Sequence, residues 1–110
     1  MAKRNLEVLK GTLHLLVLRT VALQPLHGVG IATRIRQVTR GTFEVGAGSL
    51  FPALHRLEQE GLIDGSWGET DEGRRARFYR LTPAGVRRLE TEKKNWNRIV
   101  FAIGQVLEGE

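Results

Sequence analysis

The chain has no cysteine, three prolines, one methionine and one tyrosine in 110 residues, and aromatics make up only 6%. Without thiols it can form neither a disulfide framework nor a thiolate metal site, and it suits a reducing compartment, so a cytoplasmic, nucleoid-associated location is expected. Its three histidines, His14, His27 and His55, stand far apart without ligand spacing, so no metal is expected. Long apolar runs are also missing. The richest, Leu13 to Leu23, is broken by His14, Arg19 and Thr20, too short and too polar for a membrane span. No signal-type core follows Met1-Ala2-Lys3-Arg4-Asn5, and the mature chain is expected to be the whole chain. Gly28-Val29-Gly30 lacks the third glycine of a dinucleotide loop, and Ser49 lies outside any G-x-S-x-G setting. No enzyme and no cofactor are expected.

What is present is positive charge. Lysine and arginine number 17 against 12 acidic residues, a net charge of +5 with a pI near 10.4. An excess of this sign attracts polyanions through counterion release. Apolar content of 41% and charged content of 26% are those of one ordinary globular unit.

Along the chain, residues 1 to 9 read as a basic arm. A helix is expected from about Lys10 to Leu23, apolar on most sides and therefore buried on most sides, until Gln24-Pro25 ends it. His27-Gly28-Val29-Gly30 reads as a tight connection into a second helix reaching about Arg40, with Ile31, Ile35 and Val38 inward. Gly41 is placed where a left-handed residue should stop that helix. A third helix starts near Gly48 and carries Leu50, Leu54 and Leu57 inward to the Gly61 turn, with Pro52 in its first turn. Leu62 to Trp67 and Ala76 to Leu81 read as antiparallel strands around a polar, flexible loop. Thr82-Pro83 opens the last helix as N-cap and first helical residue.

The outer face of the third helix bears Pro52, His55, Arg56 and Gln59 without a carboxylate. Such a helix can lie in a major groove, with Ser49, Pro52, His55 and Arg56 toward the duplex and Arg56 able to bond guanine through two donors. Arg74, Arg75, Arg77 and Arg80 crowd the second strand, a set suited to phosphate. Alternation puts Arg75 and Arg77 on one face and Arg80 on the other, so they cannot act together. Glu69, Asp71 and Glu72 would be repelled by a backbone, leaving contact to the arginine side of the loop. On the last helix Val86, Leu89, Trp96, Val100, Ile103 and Leu107, with Lys93 in the gap, keep a heptad spacing that predicts a homodimer seam.

The fold expected is mainly α with a small β-hairpin: a winged helix-turn-helix over residues 1–82 and a dimerisation helix over 83–110. The partners are double-stranded DNA and a second copy, with no membrane. A dimeric small-molecule-binding or protein-interaction module on the same fold, without operator binding, is the alternative.

The residues also resemble the PadR family of bacterial transcriptional regulators. The likeness rests on Leu26-His27-Gly28, on Gly48-Ser49-Leu50-Phe51-Pro52-Ala53-Leu54, and on Arg56-Leu57-Glu58 with Gly61-Leu62-Ile63. Gly73-Arg74-Arg75 and Phe78-Tyr79-Arg80-Leu81-Thr82-Pro83-Ala84-Gly85 complete it. The resemblance implies a dimeric repressor that releases a palindromic operator on binding a small molecule. It implies that Ser49, Phe51, Gly73, Arg74 and Arg75 face DNA. It also implies that Trp96, with Ile99 beside it, meets a planar aromatic effector inside the dimer. Relatives usually carry tyrosine where Phe51 and Val29 stand, so two hydroxyls are missing here.

Overall fold

A computed structural model of the chain describes residues 12–109. Its elements are α1 (Thr12–Leu23), β1 (Leu26–His27), α2 (Gly28–Val38), α3 (Ala47–Gln59), β2 (Ile63–Glu69), β3 (Arg75–Leu81) and α4 (Pro83–Glu108). The expected basic arm and the Lys10 helix start lie outside the described residues.

Apolar side chains at helical spacing make the centre. Val17 and Leu18 of α1, Ile31 of α2, and Leu50, Leu54 and Leu57 of α3 are almost fully buried, with Ile63 of β2 beneath them. Each such side chain contributes roughly 1.5–3 kcal/mol by leaving water. α1 keeps Leu15 and Leu16 only half covered, and Leu23 is 58% exposed, so part of its apolar surface faces outward.

Helix ends follow their sequence signals. α3 stops in a Schellman turn: Gly61 takes φ 73, its amide bonds the Glu58 carbonyl at 3.0 Å, and the Leu62 amide bonds the Leu57 carbonyl at 3.0 Å. α2 ends at Val38, two residues short of the Arg40 expected, and the left-handed backbone begins one residue before Gly41. Arg40 itself takes the left-handed backbone at φ 51, with Gly41 following at φ 77, and the Gly41 amide reaches the Arg36 carbonyl at 2.8 Å. Thr39 pins this turn by donating to the Ile35 carbonyl at 2.8 Å and accepting from the Phe43 amide at 3.1 Å. At the start of α4 the Thr82 hydroxyl accepts from the Gly85 amide at 3.0 Å and donates to the Gly61 carbonyl at 2.6 Å.

Four expectations are corrected. Gly28-Val29-Gly30 is the first turn of α2 and not a connection. Gly28 is buried, and a Cβ there would lie 2.8 Å from Cε1 of Phe51, so this glycine serves close packing of α2 on α3. Leu26 and His27 form a short third strand, paired with Tyr79 and Phe78, giving the sheet order β1-β3-β2. Val38 projects past the layer it was expected to cover and is 65% exposed, while Gly28 completes the inward stripe with Ile31 and Ile35. Pro52 falls in the second turn of α3, because the helix begins at Ala47. Its ring withholds the amide that would meet the Gly48 carbonyl, a loss water can repair since Gly48 is exposed.

α4 leaves the core early. Only Gly85 and Leu89 are buried along it. Beyond them the helix extends with apolar side chains uncovered, and no helix among the described residues is long and apolar enough to cross a membrane.

Candidate nucleic-acid interface

Burying Leu50, Ala53, Leu54 and Leu57 turns the opposite side of α3 outward. Ser49, Phe51, Pro52, His55 and Arg56 are all exposed there. Gly46 caps the helix without a side-chain bond, and its first turn holds no acidic residue. The positive end of the helix dipole is therefore open to an anion. The Arg56 side chain is 73% exposed, with Glu60 one turn on at 4.0 Å. An exposed pair of this kind holds its members weakly, and Arg56 stays available.

Hydrogen bonds close the turn at the tip of the wing. Gly73 takes φ 80, its amide bonds the Thr70 carbonyl at 2.9 Å, and the Thr70 amide returns to the Arg74 carbonyl at 2.8 Å. The Thr70 hydroxyl also accepts from the Arg74 amide at 3.1 Å. The turn thus sets Arg74 and Arg75 on its β3 side, exposed, with Asp71 and Glu72 at the tip. Register then pairs Glu69 with Arg75, Trp67 with Arg77 and Asp64 with Arg80. The Arg75 guanidinium lies 4.6 Å from the Trp67 ring centre, a cation–π contact on an exposed tryptophan.

Arg77, expected to meet DNA, points elsewhere. It is half-buried and donates a charge-assisted hydrogen bond to Glu58 of α3, with its guanidinium also 5.8 Å from the Trp67 ring centre. That bond raises the Arg77 pKa above its already high ordinary value. Tyr79 next to it is raised chiefly by burial, and the Glu58 charge pushes the same way. Its phenol therefore stays neutral in ordinary buffers. Glu58 and Trp67 were not singled out as site residues from the sequence; only the strand register and the α3 helical phase reveal them.

Between the wing, the start of α2 and α3 lies a trough of about 350 Å³ lined by His27, Val29, Phe51, Trp67 and Tyr79 among others. His27 Nδ1 is buried without a hydrogen-bond partner among the described residues, and its ring centre lies 5.2 Å from that of Phe78. No group of three metal-ligating side chains occurs among the described residues.

The seam residues divide. Leu89 is 5% exposed and belongs to the chain's own core, whereas Val86, Trp96, Val100, Ile103 and Leu107 are 41–79% exposed. Ile99 is 49% exposed and lines a shallow recess with Asn95, Arg98, Phe101, Ala102 and Gln105, which does not include Trp96.

Three helices, the third with an open N-terminus, and a basic hairpin beside it define a winged helix-turn-helix. The chain belongs to the PadR-like family of transcriptional regulators, whose sequence model matches residues 17–91. The family is one of DNA-binding regulators. The chain is 33% identical to Transcriptional regulator Rv3488 of Mycobacterium tuberculosis over 88 residues, covering 80% of this chain and 78% of that one. A PadR-like transcriptional regulator from Bacillus cereus superposes with a TM-score of 0.77 at 26% identity, covering 91% of this chain and 95% of the other. A PadR family regulator from Clostridium difficile gives 0.76 at 28% identity, covering 88% and 99%.

Proposed function

We propose that the chain is a ligand-responsive repressor acting as a homodimer on a palindromic operator in the cytoplasm, associated with the nucleoid. Residues 1–82 read DNA and residues 83–110 join the subunits. The observation that carries this reading is the joint exposure of Arg56 on α3 and Arg74 and Arg75 on the wing, on a chain whose last helix leaves Trp96, Val100, Ile103 and Leu107 uncovered. In this reading Ser49, Phe51, Pro52, His55 and Arg56 meet the major groove, and Gly73, Arg74 and Arg75 meet phosphate. Two copies joined along α4 set their α3 helices about one DNA turn apart, near 34 Å or a multiple of it.

The test is a gel shift and footprint with the DNA upstream of the chain's own gene. A protected palindrome is the expected result. Arg56→Ala should relax base preference at a cost of about 1–3 kcal/mol. Arg74→Ala should weaken all sequences alike and reduce the salt slope by about one. If both variants kept full affinity at several salt concentrations, helix and wing would be wrongly assigned.

The effector reading rests on Trp96 and Ile99, exposed at 41% and 49% on the helix that would line the dimer. In a Trp67→Phe background, flat aromatic compounds should quench the remaining Trp96 emission saturably. A linear, unsaturable response would remove the effector from this location.

A further inference from the structure

Arg77 is the one member of the wing's basic cluster that does not point to solvent. Its side chain crosses the backbone of Gly65 on the neighbouring strand, where any Cβ would overlap the guanidinium, the Cζ atom lying 2.7 Å from that position. Beyond Gly65 it reaches Glu58, in the last turn of α3. Trp67 closes the other side, with Tyr79 alongside on the same face of β3. Both partners of the ion pair are about two-thirds covered, their side chains being 33% and 31% exposed. Partial burial protects the pair from screening, and a planar guanidinium fits such a bridge better than a flexible ammonium would. The two elements it ties are the reading helix and the wing.

We propose that Arg77 is a positioning residue: bonded to Glu58 across the bare backbone of Gly65, it fixes the angle between wing and reading helix, so that base contacts and phosphate contacts fall in register on one half-site. The consequence for DNA rests on the reading given under Proposed function; the mechanical role does not. Gly65 is part of the device, because a side chain there would push the guanidinium off this path.

The absence of native cysteine makes a direct test clean. Nitroxide labels are placed at Gln59→Cys on α3 and Glu72→Cys at the wing tip, and labelled chain is diluted with unlabelled so that the intrachain distance is read. Pulsed electron–electron resonance should give one narrow distance distribution. Glu58→Ala, Arg77→Gln and Gly65→Ala, the last of which keeps both charges, should each broaden it. The exchanged pair Glu58→Arg with Arg77→Glu should narrow it again. Circular dichroism confirms that each variant is folded. An unchanged width in all three single variants overturns the proposal.

The DNA arm uses the same upstream fragment. Glu58→Ala and Arg77→Gln should each weaken binding roughly tenfold with an unaltered salt slope, since no phosphate contact is lost, and the exchange should restore most of it. A slope reduced by one in Arg77→Gln, with no recovery on exchange, would make Arg77 a phosphate contact and overturn the proposal. If the parent chain bound no DNA while the distances behaved as expected, the functional reading would fall and the bridge would stand.

Discussion

Replacing Val100 and Ile103 together by glutamate is expected to leave the chain monomeric at micromolar concentration and to weaken its binding to upstream DNA by about a hundredfold or more. The two side chains are 50% and 53% exposed, and Trp96 and Leu107 flank them at helical spacing with 41% and 79% exposure. α4 has 26 residues, about 39 Å at 1.5 Å per residue, and its own domain covers little beyond Leu89. An apolar stripe of this length left in water is unfavourable, and a second copy can cover it. A carboxylate placed in such a seam must lose its hydration without gaining a partner, which costs several kcal/mol. Affinity then falls because the second half-site is no longer bound from a tethered neighbour. Sedimentation velocity and a gel shift read the two effects separately. A dimer surviving both glutamates would place the subunit contact elsewhere, and a monomer binding as tightly as the parent would remove the need for two copies.

Gly85→Val should be the most damaging single change to the fold. Gly85 is buried in the first turn of α4, directly against the Leu62 carbonyl, which a Cβ would overlap. Leu81 Cδ2 would stand 2.9 Å away. That same carbonyl accepts the Thr82 amide at 3.1 Å, so it cannot withdraw without breaking the join between β2 and α4. The expected cost lies at or above the upper end of about 1–3 kcal/mol, which lowers the melting temperature by roughly 10–20 °C. Gly48→Ala is the matched control, since a Cβ there meets nothing within 4 Å. Thermal unfolding followed by circular dichroism decides it. Equal melting temperatures for the two variants would mean that α4 tolerates a shift away from the sheet.

The helices and the hairpin were legible because their signals are strong and local. Leucines at helical spacing, Gly61 and Thr82-Pro83 act within a few residues, and each settled as read. β1 was not legible, because a strand of two residues has no alternation to display and exists only through its pairing with Tyr79 and Phe78. Gly28 was misread for a related reason. Its glycine signal is the same whether the backbone must turn or a ring must approach, and Phe51 lies far along the chain. Arg77 shows the limit most plainly. Strand alternation gave its face correctly, but α3 lies over that face, and helical phase alone does not place Glu58 opposite it. Charge clusters identify a surface, whereas the partner of each charge is decided by packing.

The stacking of Arg75 on Trp67 gives the wing a built-in optical gauge. Indole emission responds to a nearby cation, and the cation here is one that a phosphate would draw away from the ring. Under the proposed wing–phosphate contact, DNA binding by a chain lacking Trp96 should register as a change in Trp67 emission, without dye or tag.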